Sequence, residues 1–83
     1  MVIKDSTICE LNKERERQID KGFDNEWDDS FKTPDDWCTD IDAYVTWAKQ
    51  MARMRSPEKY RRRMVQVATI AIAAIESFDR VNK

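Results

Sequence analysis

Three consecutive arginines at positions 61–63 are the side chains of this sequence best suited to bind an anion. The planar guanidinium group donates paired hydrogen bonds to phosphate or carboxylate, so a cluster of arginines indicates a ligand with one of these groups. Neighbouring lysine and arginine side chains add charge, and an aromatic ring could stack on a base. The sequence therefore predicts a phosphate or nucleotide site at Arg61, Arg62, Arg63, Lys59, Arg53, Tyr60 and Trp27.

An alternative partner for these arginines lies within the chain itself. Residues 20–42 contain nine acids and two bases, a net charge of −7, whereas residues 49–63 contain seven bases and one acid, a net charge of +6. The two segments could pair within one chain or between chains. The whole chain carries a net charge of only −1, which argues against a nucleic-acid partner.

Acids of the aromatic loop, together with carboxylates that share a helix face, are candidates for a magnesium site. Carboxylates three or four residues apart lie on one face of a helix and can hold a hard cation. The candidate metal ligands are Glu14, Asp28, Asp29, Glu76 and Asp79. The alternative is that they form salt bridges with Arg15, Arg17 and Arg80. The chain has no histidine, so a Ser/His or Cys/His nucleophile is excluded and no catalytic residue is predicted.

The elements that position these residues are three predicted helices in one domain, residues 1–83. A T-x-x-E capping box at Thr7 and a glycine at position 22 delimit a helix at about 8–21. Thr33 followed by Pro34, and Ser56 followed by Pro57, start the second and third helices at about 34–54 and 57–81. The short connection predicts an antiparallel hairpin of these two helices. The fold class is therefore all-α, a small helical bundle.

The segment between the first two predicted helices is both acidic and aromatic. Phe23, Trp27 and Phe31 recur every four residues. Because aromatic rings gain free energy by leaving water, we expect this loop to fold back on the core as a lid. The spacing also fits a short helical turn.

The third predicted helix is apolar on nearly all sides. Between Met64 and Ile75 its only polar residues are Gln66 and Thr69. Two other helices of a chain this short give little cover for such a helix. We therefore expect a homo-oligomer with this helix at its centre. The alternative is a monomer in which the first helix and the aromatic loop provide the cover.

The cysteines and hydropathy indicate the cellular setting. Cys9 and Cys38 fall at apolar helix positions, so buried, reduced thiols are expected, although one disulfide between them is an open alternative. The first ten residues have no apolar signal-peptide core, and the longest apolar run, residues 67–75, is too short to span a membrane. A cytoplasmic protein without a membrane partner is predicted.

Both ends of the chain resemble a group of small helical proteins encoded by bacteriophages. These have an E-R-x-R-Q helix, a G-W/F turn with an acidic pair, and a final R-R-x-x-V-x-x-A…I-E-x-x-D-R helix. The matching residues are Glu14, Arg15, Arg17, Gln18, Gly22, Phe23, Asp28, Asp29, Arg61, Arg62, Val65, Ala68, Ile75, Glu76, Asp79 and Arg80. Such proteins are often labelled MazG-like, after the all-α nucleoside triphosphate pyrophosphohydrolases.

The resemblance implies a helical, oligomeric, nucleotide-binding protein of phage origin. Those hydrolases hold magnesium with an E-x-x-E pair and an E-x-x-D pair, and this sequence lacks E-x-x-E. The first functional hypothesis is therefore an accessory, anti-defence protein that binds a nucleotide or other phosphorylated small molecule without turning it over, and needs no cofactor. The alternatives are a protein–protein inhibitor of a host defence or transcription protein, and a magnesium-dependent pyrophosphohydrolase.

Overall fold

The computed structural model describes residues 2–82, which form an all-α fold, as the sequence predicts. The helices are α1 (Asp5–Asp20), α2 (Asn25–Phe31), α3 (Pro34–Arg53) and α4 (Pro57–Val81). Within these described residues, none of the helices combines the length and the apolarity that a bilayer crossing requires.

Local signals explain most of the helix ends. Thr33 and Asp36 form a reciprocal capping box: the Thr33 N–H donates to Asp36 Oδ2 at 2.9 Å, and the Asp36 N–H donates to Thr33 Oγ1 at 3.2 Å. At the end of α1, the Gly22 N–H donates to Ile19 O and the Phe23 N–H donates to Gln18 O, with a φ of +97° at Gly22. This is a Schellman motif, which favours glycine at that position.

The start of α1 differs from the prediction. The helix begins at Asp5, not near Ile8, because the Thr7 and Ile8 N–H groups both donate to the Lys4 carbonyl at 3.0 Å. Thr7 therefore lies inside the helix and does not cap it. Asp5 occupies the first turn, where the helix dipole favours a negative charge.

The aromatic segment contains α2, which is the short helical turn that its spacing allowed. The Asp24 carboxylate caps this helix by accepting from the Trp27 N–H at 2.9 Å. The rings of Phe23 and Trp27 meet edge to face, with centroids 5.2 Å apart. The segment therefore folds as an ordered unit, and its aromatic side chains contact one another.

The core lies mainly between α3 and α4. Trp37, Ile70 and Ala73 are buried together, and Ile41 and Tyr44 pack around them. Trp37 near the start of α3 thus meets the second half of α4. Most of the apolar burial available to this chain is therefore supplied by these two helices.

The inward face of α4 is more polar than its outward face. Gln66, Thr69 and Ser77 are buried beside Ile70 and Ala73. Several larger apolar side chains of α4 are instead exposed, and they are Tyr60, Met64, Ile72, Ile75, Phe78 and Val81. The buried polar groups have partners: the Thr69 hydroxyl donates to Val65 O at 2.8 Å, and Gln66 accepts from Arg63.

The prediction of buried thiols was wrong, since Cys9 and Cys38 are both exposed and unpaired. A helix turns by about 100° per residue, so the inward position of Trp37 directs its neighbour Cys38 outward. Cys9 lies on α1, a helix with no buried residue among those described.

Candidate functional site

A cavity of about 580 Å³ lies between α1, α2 and α3, with Ile70 of α4 on one wall. This volume is within the range of pockets that hold drug-sized ligands. Its aromatic lining residues are Phe23, Trp27, Phe31, Trp37 and Tyr44, and its cationic lining residues are Arg15, Arg17, Lys21 and Lys32. Asp28, Asp36 and Asp40 also line it. The cavity therefore combines ring surfaces with charges of both signs.

A buried ion pair joins α1 to α2 at one wall of the cavity. Arg15 Nη2 donates to Asp28 Oδ2 at 2.7 Å, and the Asp28 side chain is only 2% exposed. Arg15 Nη1 also donates to the Phe23 carbonyl at 3.0 Å, and Nη2 donates to Asn25 Oδ1 at 3.2 Å. Burial raises the pKa of Asp28, and the nearby Arg15 only partly offsets this effect. The pair therefore fixes the position of α2 with a carboxylate that has lost its hydration.

Lys32 connects two aromatic walls of the cavity. Its ammonium nitrogen lies 4.1 Å from the centroid of the Trp37 ring and 5.8 Å from that of the Trp27 ring, and it donates to the Asp40 carboxylate. A cation at this distance from an indole face is attracted by the ring quadrupole. The Lys32 ammonium group therefore lies close to both rings at once.

Two further cations of the cavity lining lie at the C-terminal end of α1. Arg17 Nε donates to Glu14 Oε1 at 3.0 Å, and this contact lowers the pKa of Glu14. Lys21 is exposed, and no carboxylate among residues 2–82 lies within salt-bridge distance of its amine. Lys21 can therefore bind an incoming anion without first losing an internal partner.

The three arginines of the predicted site point in different directions. Arg61 forms a two-pronged pair with Glu10 of α1, at 2.6 and 2.7 Å. Arg63 packs on the other side, with its guanidinium carbon 3.3 Å from the centroid of the Trp47 ring. Arg62 lines a shallow depression with Arg61, and its charge helps to lower the pKa of Glu14.

The remaining predicted ligand residues do not line one common cavity. Tyr60 lines a small depression with Arg55 and Pro57, while Lys59 and Arg53 are exposed. Of the predicted set, Trp27 lines the main cavity. Arg17 borders both this cavity and the depression that contains Arg61 and Arg62, so it links the two surfaces.

Three of the five carboxylates considered for magnesium contact cations. Asp28 pairs with Arg15 and Glu14 with Arg17, while Asp29 accepts from Arg80 Nε at 2.8 Å and from the Ser77 hydroxyl at 2.7 Å. The contacts with Arg80 and Ser77 lower the pKa of Asp29. Glu76 and Asp79 are exposed on α4. Residues 2–82 contain no group of three acidic or cysteine side chains arranged to hold a metal.

Sequence reasoning missed the convergence of the four cations on the aromatic segment. The sequence pattern that could have indicated it is the regular aromatic spacing of that segment, which is followed directly by Lys32 and then by Trp37 in the first turn of the next helix. Comparison with family models, curated proteins and solved structures gives no match to this chain. The cavity presents aromatic surfaces, which suit a flat ring, and the exposed Lys21, which suits an anionic group.

Proposed function

We propose that this protein binds a nucleotide or another phosphorylated aromatic molecule in the cavity between α1, α2 and α3, and releases it unchanged. The observation that carries the proposal is the accessible amine of Lys21 in the lining of a cavity whose other walls include Trp27, Trp37 and Tyr44. Base stacking on aromatic side chains contributes about 1–3 kcal/mol per base. A charged hydrogen bond to phosphate adds a contribution of similar size.

In this proposal the phosphate groups bind away from the arginine run. The run is divided between Glu10 and Trp47, whereas Arg17 and Lys21 line the cavity itself. A ligand with several phosphates could extend past Arg17 toward Arg62, because Arg17 borders both depressions. A nucleoside triphosphate is therefore a better probe than a monophosphate.

Binding without turnover is favoured by the state of the nearby carboxylates. Asp28 and Asp40 are paired with Arg15 and Lys32, and Asp36 caps the start of α3. A hydrolase would need carboxylates available to hold magnesium and activate water. In the setting that the phage resemblance implies, the protein would act in the host cytoplasm as a sponge that withholds a nucleotide signal.

We also propose that α3 and α4 form an antiparallel hairpin and that α4 joins copies of the chain into a homo-oligomer. The oligomer is supported by the outward position of Ile75 and Phe78, which are 61% and 64% exposed. Exposed apolar patches of this kind are typical of interaction surfaces.

Calorimetric titration with ATP, AMP, adenosine and inorganic phosphate tests the ligand proposal. ATP should bind, and it should raise the melting temperature. Lys21→Glu should weaken binding about tenfold or more through loss of a charged contact. Lys49→Glu, which makes the same charge change at an exposed site of α3 that does not line the cavity, should leave affinity within about twofold.

Mass spectrometry of the recovered nucleotide separates binding from hydrolysis. The sponge proposal expects intact ATP after incubation with magnesium. Release of pyrophosphate would favour the hydrolase instead. A panel of purine and pyrimidine nucleotides that all fail to bind would refute the ligand proposal.

A further inference from the structure

The outward face of α4 has a size pattern that is nearly symmetric about its middle. At about 100° per residue, Tyr60, Met64, Ala68, Ala71, Ile75 and Phe78 fall on one stripe. Small side chains stand at its centre and large ones at both ends. The stripe points away from the buried face formed by Gln66, Thr69, Ile70, Ala73 and Ser77.

We infer that this stripe binds the same stripe of a second copy, with the two α4 helices antiparallel and crossing at Ala68 and Ala71. Small residues at a crossing point let two helices approach closely, and the large side chains on either side then interdigitate. In this register Ala68 meets Ala71 of the second copy, and Met64 meets Ile75. The inference rests on the proposed homo-oligomer and is independent of the cavity ligand.

The charges along α4 select the antiparallel orientation. Arg61 and Asp79 are 18 residues apart, which is five turns of a helix, so both lie on the same flank of the stripe. A two-fold axis near residue 70 brings Arg61 of each copy beside Asp79 of the other. A parallel pair places them at opposite ends and forms neither contact.

Arg61 can take part in this contact while it holds Glu10. Its side chain is 62% exposed, and the pair with Glu10 uses two of its five N–H donors. An exposed ion pair of this kind contributes little to affinity but fixes orientation. The apolar stripe therefore supplies the attraction, and the charges set its direction.

The first test is the mass in solution by sedimentation, at a fixed protein concentration. The inference expects a dimer of about twice the 9.9 kDa chain mass. Ile75→Asp should give a monomer that keeps its helical circular dichroism, because Ile75 is exposed within one chain. Val2→Asp, at a residue that is 93% exposed elsewhere, should leave the dimer intact. A wild-type monomer would overturn both the oligomer and this geometry.

Disulfide trapping tests the geometry separately, in a Cys9→Ser/Cys38→Ser background that removes the two exposed thiols. With a rise of 1.5 Å per residue, the substituted residues of two Ala68→Cys chains lie about 4.5 Å apart along the α4 helix axis and should cross-link. The two copies of Met64→Cys lie about 16.5 Å apart and should not. Met64→Cys mixed with Ile75→Cys should cross-link. A dimer in which Met64→Cys links to itself would refute the antiparallel register.

Discussion

Replacing Asp28 separates the effect of its charge from the effect of its hydrogen bonds. Loss of one partner of a buried ion pair costs about 3–5 kcal/mol. After Asp28→Ala, Arg15 still has acceptors on Gln18, Phe23 and Asn25. We therefore expect the lower end of the range, a loss of about 3 kcal/mol in the free energy of unfolding.

The isosteric Asp28→Asn should cost much less. Asparagine keeps an oxygen acceptor for Arg15, and because burial raises the pKa of Asp28, the fold favours the neutral carboxyl relative to water. We expect Asp28→Asn to remain within about 1 kcal/mol of the wild type. The gap of about 2 kcal/mol between the two variants corresponds to roughly 8–16 °C in melting temperature.

Urea and thermal unfolding followed by circular dichroism, at one protein concentration, measure both variants. Asp42→Ala, at an exposed acid of α3, is the matched control and should change stability by less than about 0.5 kcal/mol. Because the pKa of Asp28 is raised in the native state, the native state holds a proton that the unfolded state has already lost. The contribution of Asp28 to the free energy of unfolding is therefore present at acid pH and falls as pH rises. Asp28→Asn should thus gain relative to the wild type as pH rises. Equal losses for both variants would refute this reasoning.

Substitutions at three further positions test two backbone conformations and one ion pair. Gly22→Ala should lower the free energy of unfolding by about 1 kcal/mol, because φ is +97° and strains the backbone of any residue with a Cβ. Beyond its two chain neighbours, no atom lies within 4 Å of the added methyl, so no steric clash contributes. Unchanged thermal unfolding would contradict this expectation. Arg55 has a φ of 54°, so Arg55→Gly should be more stable than Arg55→Val by more than about 1 kcal/mol in urea titrations. Asp29, whose pKa is lowered by Arg80 and Ser77, stabilises the fold above its unfolded pKa of about 3.9 and loses this effect as pH falls through its native pKa. Asp29→Asn should therefore make stability less dependent on pH below about 4; an unchanged acid titration would refute it.

Most features encoded within one turn of the chain were predictable from the sequence, with Thr7 as an exception, and features that join distant segments were not. Thr33 with Pro34 starts α3 through hydrogen bonds that reach only three residues. The cavity instead depends on the pair between Arg15 and Asp28, which are 13 residues apart in different helices. No local pattern specifies that pairing, because each acid of the segment 20–42 could pair with any of several cations toward either end of the chain.

The buried face of α4 shows the same limit. Hydropathy favours burial of Ile75 and Phe78, yet Ser77 faces inward and donates to Asp29 at 2.7 Å. Its neighbouring turn supplies Arg80 to the same carboxylate. These contacts with α2 hold the C-terminal part of α4 in a rotation that helical periodicity alone does not specify.

Two adjacent carboxylates of α2 connect segments near opposite ends of the chain, which sets an order for folding. Asp28 reaches back 13 residues to Arg15, and Asp29 reaches forward 51 residues to Arg80. Loop closure over 51 residues costs more entropy than the short turn between α3 and α4, so α2 should dock after those two helices have paired. Amide hydrogen exchange should accordingly be fastest in α2 among the helices that line the cavity. Local opening of this seven-residue helix should therefore occur while α3 and α4 stay folded.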